Sequence, residues 1–448
     1  MSNLDPTNGK YSFIGSGFQN TANTFNSVVV GGNRNAIFNG DHSIIGGGKN
    51  NYTNGAYASI LGGRYNQTLA QFTTVGGGFQ NTASTTYATV VGGQGNIASG
   101  KWASVLGGWI NKATAYYSSI GGGAANNASN IYTFIGNGSN NTASGQWSTI
   151  VGGIQNISSN KATFIGGGAI NKAIGGYSTV VGGHQNISSG NHSFVGGGDS
   201  NSALTTYAIV VGGNLNKVSG NSVSNNTSAS FIGGGKNNIA LDGFGGNSSA
   251  VVGGINNFAG GNYYAGSFVG AGLNNQASGN FSVVTGGKGN IASNYYSVVV
   301  GGAYNFATSN TSVIVGGTNN IAYGISSFIG GGQVNSAITN FSTVVSGLRN
   351  KALGIYSSVL NGSGNTASGF ASAIIGGTGH TVSGINSVII GGANISGTSN
   401  NTVYLPKLKF QSTTTLPSPE QGIMFFSGSP LNRIMYNTGG TAADWIII

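Results

Sequence analysis

The sequence predicts an all-β fold, a parallel β-solenoid of about 25 fifteen-residue coils that assembles as a homotrimer and ends in a small C-terminal β-rich module. Three observations support this prediction. A glycine-centred unit recurs with a step of fifteen residues almost everywhere. Inside each unit, small and β-branched residues alternate with the period of two that is typical of strands. The intervening residues, which would face outwards, are apolar and matched in size.

The composition favours an ordered repeat protein. The 448 residues include 84 Gly, 5 Pro and no Cys, and only 5% are charged. Disordered chains have the opposite balance, and the glycines lack the three-residue period of collagen. Without cysteine there is no disulfide framework and no thiolate metal site. The 16 basic residues are spread at roughly one per repeat rather than gathered in the patch that nucleic-acid binding requires, so no nucleic-acid partner is expected.

The repeat is defined by an anchor, the last glycine of each Gly-Gly or Gly-x-Gly, and 25 anchors lie between Gly17 and Gly392. The residue three before the anchor is always Val or Ile, and the residue five before is always Ser, Thr or Ala. The residue three after is Asn in 23 units, and His380 and Ile395 are the exceptions. Fifteen residues suffice for one solenoid coil but not for a separate domain. We expect the small and Val/Ile columns to fill a narrow interior, and the Asn column to form a hydrogen-bonded ladder that satisfies the turn backbone.

The positions four and two before the anchor predict the trimer. Wherever the first of them is Phe, the second is Gly, and where the second is Val or Leu the first is usually Thr, Ser or Val. Such compensation in size is typical of a packed interior, and a strand that is apolar on both faces is buried on both. We therefore expect this face to pack around the axis of a closed homotrimer. The alternative, a monomer whose face is covered by a helix or tail, has no candidate segment. The phenylalanines expected at the trimer contact are Phe13, Phe134, Phe164, Phe194, Phe231, Phe268 and Phe328.

The unit Tyr-Ser-x-Val-x-Gly-Gly-x-x-Asn-x-Ala-Ser-Gly-x resembles the head repeats of trimeric autotransporter adhesins, and similar repeats occur in fibre proteins of phages and large viruses. The resemblance covers about residues 11–396 and implies a left-handed parallel β-roll that trimerises. The secretion signal and the membrane barrel of autotransporters are missing here. The first ten residues contain no apolar run after a basic start, and no stretch approaches the ~20 apolar residues of a membrane span. Membrane insertion is therefore not expected.

The chain divides into an N-terminal segment 1–10, the solenoid 11–396 and a C-terminal module 397–448. Four of the five prolines lie in the last fifty residues, where QGIMFF and NRIMYN read as short strands around a Gly-Ser-Pro turn. This module resembles C-terminal segments of phage structural and fibre proteins. It is interpreted as a cap that nucleates the trimer, with a receptor-binding tip as the alternative. The apolar end at Trp445 is expected to pack within the trimer.

Two features are candidates for ligand binding. The coils in 214–272 are irregular, with anchor steps of 22, 19 and 18, and their extra residues fall at one turn. The insertions therefore predict a raised patch in which Asp242, Phe244, Tyr263 and Tyr264 could bind a glycan, although tolerated surface loops are the alternative. The second feature is an aromatic column six before the anchor, for which packing against neighbours is the main interpretation and glycan contact the alternative. This column comprises Tyr57, Phe72, Tyr87, Trp102, Tyr117, Tyr132, Trp147 and Tyr177.

Catalysis is not predicted. A glycosidase needs two carboxylates within ~5–10 Å, and neighbouring coils do not supply such a pair. His184 and His192 lie in one repeat without acids or thiols beside them, so no metal site is expected, and no cofactor is implied. The acidic residues are Asp5, Asp41, Asp199, Asp242, Glu420 and Asp444.

These features predict a virion fibre. It would be made in the host cytoplasm, joined at one end to other virion proteins, and exposed on the virion surface to a host cell-surface glycan or protein. One alternative is a bacterial cell-surface adhesin or sheath protein, which would be extracellular. A second is an ice-binding solenoid that presents the hydroxyl row five before the anchor, although its period places that row inwards.

Overall fold

The computed structural model describes residues 11–220, 229–243, 248–261 and 266–407, together with the backbone of four short strands between 412 and 447. It contains two compact units, Met1–Val334 and Asn335–Ile448. Every regular element among the described residues is a strand. The predicted all-β parallel solenoid of about 25 coils is therefore confirmed.

Ladder A is built from the residues four and three before each anchor. Consecutive strands pair in parallel, so that Thr89 lies beside Ser104 and Val90 beside Val105. The spacing of one coil thus sets the register directly, because each residue pairs with its equivalent in the next coil. In the first unit the strands of ladder A are Phe13–Ile14, Val28–Val29, Ile44–Ile45, Ser59–Ile60, Thr74–Val75, Thr89–Val90, Ser104–Val105, Ser119–Ile120, Phe134–Ile135, Thr149–Ile150, Phe164–Ile165, Thr179–Val180, Phe194–Val195, Ile209–Val210, Phe231–Ile232, Ala250–Val251, Phe268–Val269, Val283–Val284, Val298–Val299, Val313–Ile314 and Phe328–Ile329.

Ladder B is built from the residues four and five after each anchor. It is also parallel, and an isolated bridge residue directly after the anchor forms a third row between the ladders. In the first unit its strands are Thr21–Ala22, Ala36–Ile37, Tyr52–Thr53, Gln67–Thr68, Thr82–Ala83, Ile97–Ala98, Lys112–Ala113, Asn127–Ala128, Thr142–Ala143, Ile157–Ser158, Lys172–Ala173, Ile187–Ser188, Ser202–Ala203, Lys217–Gly220, Ile239–Asp242, Phe258–Ala259, Gln276–Ala277, Ile291–Ala292, Phe306–Ala307 and Ile321–Ala322.

The interior of each coil is filled by four columns. The small residue five before the anchor, the Val or Ile three before, the Asn three after and the mostly Ala residue five after are buried in all but the first and last coils, as in the coil of Ala88, Val90, Asn96 and Ala98. The predicted inward columns are therefore confirmed. Because three of the four positions carry small or amide side chains, the Val or Ile is the main apolar filler of each coil.

The asparagine column hydrogen-bonds chiefly to backbone. The Asn156 amide nitrogen donates to the Gly152 carbonyl in its own coil at 3.0 Å and to the Gly168 carbonyl of the next coil at 3.0 Å. Its side-chain oxygen accepts from the Asn171 backbone N–H at 2.9 Å. One buried amide thus pairs the Gly152 carbonyl and the Asn171 N–H. It also gives the Gly168 carbonyl a second donor beside the Ile154 N–H. The predicted ladder is confirmed, with backbone groups as its main partners.

His380 takes the place of asparagine in the second unit and keeps two of these three bonds. Its Nδ1 accepts from the Ile395 N–H at 3.1 Å, and its Nε2 lies 3.1 Å from the Gly392 carbonyl. An imidazole of this orientation can replace the amide in part, because it offers one acceptor and one donor where the amide offers one acceptor and two donors.

Each coil turns through left-handed backbone, and the anchor glycine is required there. Gly93 has φ +89, and a Cβ at this position would overlap the carbonyl oxygen of Gly108 in the next coil. A side chain is excluded both by the conformation and by the close approach of the coils. The preceding Gly92 has open space around a Cβ position, with no heavy atom within 4 Å.

The second unit, described by itself, contains the same two kinds of parallel ladder. Ladder A runs beyond the predicted boundary at residue 396, because Val403–Tyr404 pairs in register with Val388–Ile389. Tyr404 stands where other coils have Val or Ile, and its hydroxyl accepts from the Ser399 N–H at 2.7 Å. Hydrogen bonds from Ser399 hold the pKa of Tyr404 below its usual value. The strands are Thr343–Val344, Ser358–Val359, Ala373–Ile374, Val388–Ile389 and Val403–Tyr404 in ladder A, and Ser336–Ala337, Lys351–Ala352, Thr366–Ala367, Thr381–Val382 and Ser396–Gly397 in ladder B.

The end of the chain forms a separate four-stranded sheet. Met424–Ser427 and Arg433–Asn437 pair antiparallel, which confirms strands in the two predicted segments. Trp445–Ile447 pairs antiparallel with the second of these, and Ser412–Thr413 pairs parallel with the first. The functions of this module as a cap, trimer nucleus or tip remain predictions.

We expect Gly93→Ala to destabilise the protein and Gly92→Ala to leave its stability nearly unchanged. The first substitution forces an L-residue into left-handed backbone against a carbonyl, at a cost above ~1 kcal/mol. The second enters open space and changes the free energy of unfolding by less than about 0.5 kcal/mol. Urea unfolding followed by circular dichroism measures both. Equal losses would contradict the assigned roles of the two glycines.

We expect Asn156→Asp to lower the free energy of unfolding by roughly 3 kcal/mol or more, because it places a carboxylate at a buried position beside two carbonyl oxygens and removes the donor of the Gly152 carbonyl. Asn140→Asp is the matched control, since Asn140 is exposed and its amide contacts only the Ser139 hydroxyl, at 3.0 Å. The comparison is made by thermal denaturation of both variants. If the two midpoints fall together, the buried amide ladder is not the stabilising element.

Candidate functional site

The outer apolar face consists of the residues four and two before each anchor, on ladder A. Its larger members are half-exposed on the single chain, as for Phe13, Leu61 and Val91, whose exposed fractions are 56%, 64% and 52%. The predicted phenylalanines all lie on this face: Phe13, Phe134 and Phe164 are exposed, and Phe194, Phe231, Phe268 and Phe328 are partly buried. The face is therefore an extended apolar surface of the kind that marks an interaction site.

The pairing of phenylalanine with glycine has a cause within one chain. The Phe164 ring leans over Gly166 on the same strand, so that Phe164 Cε1 would lie 3.5 Å from a Cβ at residue 166. The same Cβ would also overlap the carbonyl oxygen of Val181 in the next coil. The size compensation thus includes a contact within one chain, and packing of these residues between subunits stays a prediction. The argument for a partner depends instead on the exposure and charge of the face.

Charged residues avoid the outer apolar face completely. No Lys, Arg, Asp or Glu stands four or two before any of the 25 anchors. The same coils carry their charges on the other sides, in the bridge row and on the outer positions of ladder B and the turns. The solenoid's charged residues on these sides are Arg34, Asp41, Lys49, Arg64, Lys101, Lys112, Lys161, Lys172, Asp199, Lys217, Lys236, Lys288, Arg349 and Lys351.

The predicted insertion patch is only partly within the described residues. Asp242 lies at the end of an extended ladder B strand and is only 6% exposed, with its carboxylate accepting from the Ser230 hydroxyl. Asp242 is thus an interior residue and does not offer a surface acid to a ligand, which corrects that part of the prediction. Phe244, Tyr263 and Tyr264 lie outside the described residues, so the aromatic part of the patch stays a prediction.

The aromatic column forms a continuous stack along the turns. Ring centroids of successive coils lie 4.8 Å apart for Trp102 and Tyr117 and 5.1 Å apart for Tyr57 and Phe72, with planes within 16° of parallel. Eight rings follow one another from His42 to Trp147. The main interpretation, that these residues pack against one another, is confirmed.

This stacking limits where the column can bind a ligand. A ring within the stack has both faces covered by its neighbours and presents only its edge to solvent. Sugars and cations bind aromatic faces, so such contacts are available only where the stack ends or is interrupted. All the column residues adopt left-handed backbone, for example φ 64 at Tyr87 and φ 58 at Trp147. A bulky aromatic is uncommon in this conformation, and ring stacking offsets its strain.

The sequence did not lead us to expect one close contact between a histidine and a carboxylate. His184 and Asp199 each follow an anchor directly, and the bridge row brings His184 Nδ1 to 3.6 Å from an Asp199 carboxylate oxygen. A hydrogen bond from Ser200, and then the neighbouring His184, lower the pKa of Asp199. The two residues are fifteen positions apart, and this separation of one coil is the feature of the sequence that indicates their contact. His192, in contrast, belongs to the aromatic stack between Tyr177 and Tyr207.

The hydroxyl row considered for ice binding lies inside the solenoid. Its members five before the anchor, such as Ser118, Thr163 and Ser312, are buried, as the period predicted. This buried row therefore offers no surface on which ice could bind. Among the described residues, no group of three or more His, Asp or Glu gathers at one point, and no helix is long and apolar enough to cross a membrane.

Comparison with known protein families and with characterised proteins finds no match to this sequence. The repeat architecture and the surfaces described above are therefore the basis for the function proposed below.

We expect Tyr87→Asn to lower the free energy of unfolding by about 1–2 kcal/mol, because Tyr87 stacks on a ring at each side and asparagine keeps the left-handed backbone without the ring. Tyr207→Asn removes a ring that stacks on His192 at one side, and we expect about half the loss. Urea titrations of the two variants measure this ratio. A Tyr87→Asn protein as stable as the parent would show that stacking does not stabilise the turns.

Proposed function

We propose that this chain is the subunit of a homotrimeric structural fibre, carried on the surface of a virion, that contacts a host cell surface. The observation that carries the proposal is the outer apolar face, which carries no Lys, Arg, Asp or Glu in any of the 25 coils. In a monomer this face would be exposed to solvent in every coil. A fibre subunit would bury it against identical faces.

Closed threefold packing suits this face because it is the same in every coil. Three copies around an axis bring three apolar ladders together and leave the charged bridge row and ladder B outside. Half-exposed Val, Leu and Phe side chains repeated over so many coils supply a large apolar area, each contributing ~1 kcal/mol or more when buried. The resemblance of the repeat to trimeric adhesin heads and phage fibres supports the same arrangement.

The attachment function follows from the form of such an assembly. A long repeat without a predicted catalytic centre suits a spacer that holds a binding surface away from a particle. The C-terminal module and the irregular coils of 214–272 are the parts whose sequence departs from the repeat, and they are the candidates for the contact with other virion proteins or with the host. A bacterial surface adhesin or sheath protein would share the trimer but would be found on cells and not on particles.

The trimer is tested by a matched pair of lysine substitutions in one coil. Val151 lies on the outer apolar face and Ile154 in the bridge row, and they are exposed to similar extents, 49% and 54%. We expect the parent and Ile154→Lys to sediment at three times the 44.7 kDa chain mass, because the bridge row already carries lysines. Val151→Lys places three charges at the axis and should dissociate or destabilise the trimer.

Sedimentation equilibrium reads the mass, and circular dichroism confirms that each variant is folded. A parent protein that stays monomeric at micromolar concentration, or a Val151→Lys protein that trimerises as the parent does, would contradict the proposed packing. The fibre function is tested separately by labelling purified particles with antibodies to this chain and by blocking adsorption with the purified protein. Labelling of bacterial cells alone would favour the adhesin or sheath.

A further inference from the structure

The aromatic column is interrupted at Ala162, and the interruption leaves an open slot between two ring faces. Trp147 and Tyr177 occupy the equivalent positions in the coils before and after, with exposed fractions of 45% and 47%. Ala162 keeps the left-handed backbone of the column, with φ 51. Its N–H donates to the Gln146 carbonyl at 2.8 Å, as the column backbone does elsewhere. The slot is therefore the space that an aromatic side chain at residue 162 would fill in an otherwise regular stack.

The slot has the dimensions of one six-membered ring. Successive coils lie ~4.8 Å apart, so the Trp147 and Tyr177 positions are separated by about 9.6 Å. A guest ring midway would lie at about the spacing that the stack itself uses, such as 4.8 Å between Tyr117 and Tyr132. Its two faces would meet the two ring faces on which no ring of the column stacks at this interruption.

The protein itself shows that an interruption of this kind accepts a ring. Asn26 is the other single non-aromatic residue between two rings of the column in the first unit. There the preceding residue, Phe25, contacts both flanking rings edge-on, with centroid distances of 5.7 Å to Tyr11 and 5.6 Å to His42 and interplanar angles of 77° and 68°. At Ala162 the preceding residue is lysine, so no side-chain ring of the chain takes this place.

Lys161 gives the slot its charge preference. Its Nζ lies 5.2 Å from the Trp147 ring centroid and 5.7 Å from that of Tyr177, so one ammonium group rests between the two faces. Lys161 is exposed and its stem is flexible, so the ammonium can move to the rim when a ring enters. At the rim it would pair with an anionic substituent of the guest.

We propose that this slot binds an acidic sugar, a pyranose ring that carries a carboxylate. The C–H faces of the pyranose would stack between Trp147 and Tyr177, and the carboxylate would accept from the Lys161 ammonium. A sugar is favoured over a flat aromatic acid because the slot is open to solvent along its rim, where the sugar hydroxyls stay hydrated. Sugar binding at the slot is a property of the chain alone. Only its role in host attachment rests on the proposed function.

Titration calorimetry with glucuronic acid, N-acetylneuraminic acid and glucose tests the slot on the full-length protein. We expect both acidic sugars to bind in the millimolar range and about tenfold more tightly than glucose. Ala162→Tyr fills the slot with the residue type that the column uses and should weaken acidic-sugar binding at least about tenfold while raising the thermal midpoint. Lys161→Gln should remove the preference for the acidic sugars over glucose.

Two variants are matched controls. Ala371 is also an alanine of this column with φ 51, but its neighbours are Tyr356 and Asn386, so Ala371→Tyr should leave binding unchanged. Lys101 lies over Trp102 at 4.2 Å within an unbroken part of the stack, so Lys101→Gln should also leave it unchanged. Absence of acidic-sugar binding up to about 10 mM, undiminished binding by Ala162→Tyr, or tighter binding of benzoate than of either sugar would overturn the proposal.

The same variants separate this inference from the fibre proposal. Sedimentation of Ala162→Tyr reports the trimer independently of the sugar. If sugar binding is lost while the trimer and particle adsorption persist, the slot exists but is not the attachment site. If the protein binds the sugar as a monomer, the result supports the binding slot and contradicts the trimeric fibre.

Discussion

The structure depends on the narrowness of the coil interior. Fifteen residues enclose room for only four inward side chains, so two coils approach until the anchor glycine of one lies against the carbonyl of the next. The backbone N–H of each buried asparagine and the carbonyl of the residue before the anchor then need partners inside the protein. The asparagine amide supplies them, with donors to two carbonyls and an acceptor for the next N–H. Glycine at the anchor and asparagine three residues later are thus two consequences of one constraint.

The same constraint determines where the sequence is free to vary. The inward columns repeat with few changes, whereas the outward columns carry the aromatic residues, the lysines and the insertions. Differences in charge between the sides of the solenoid are therefore informative, because packing inside a coil does not require them. A side that excludes every charge while the neighbouring sides accept lysine has a different environment, and burial between subunits supplies one.

Much of the fold could be predicted because the repeat aligns equivalent residues. Alternation with period two identified the inward Val90 and Ala88, and the invariant offset identified the buried Asn96. The prediction was incomplete where a contact depends on conformation. The ring of Phe164 lies along its own strand, which the spacing of Phe and Gly could not distinguish from a contact between subunits. Asp242 was assigned to a surface because a loop was expected, whereas ladder B extends through it and turns its carboxylate inwards.

Two further contacts were not predicted because residues were judged by their type and not by their position within the repeat. Tyr404 lies fifteen residues after Ile389 and continues ladder A, although the prolines around it suggested a new module. His184 and Asp199 were judged separately, although the same offset brings them together. In a solenoid, residues separated by one period are neighbours whatever their chemistry, so every polar residue is better compared with its equivalents one coil away before its function is assigned.

The aromatic column and the outer apolar face lie close together on each coil, since Ala162 and Phe164 are separated by a single inward residue, Thr163. In a closed trimer the column would therefore run along the groove where two subunits meet, and each fibre would carry three equivalent slots. A sugar bound between two ring faces with one ion pair has modest affinity. Several such sites on one particle, engaging a surface dense in acidic sugars, raise the overall affinity by factors of ~10² to 10⁴ without any new contact. An attachment fibre can thus use a weak site, because repetition of the subunit supplies the strength that a single coil cannot.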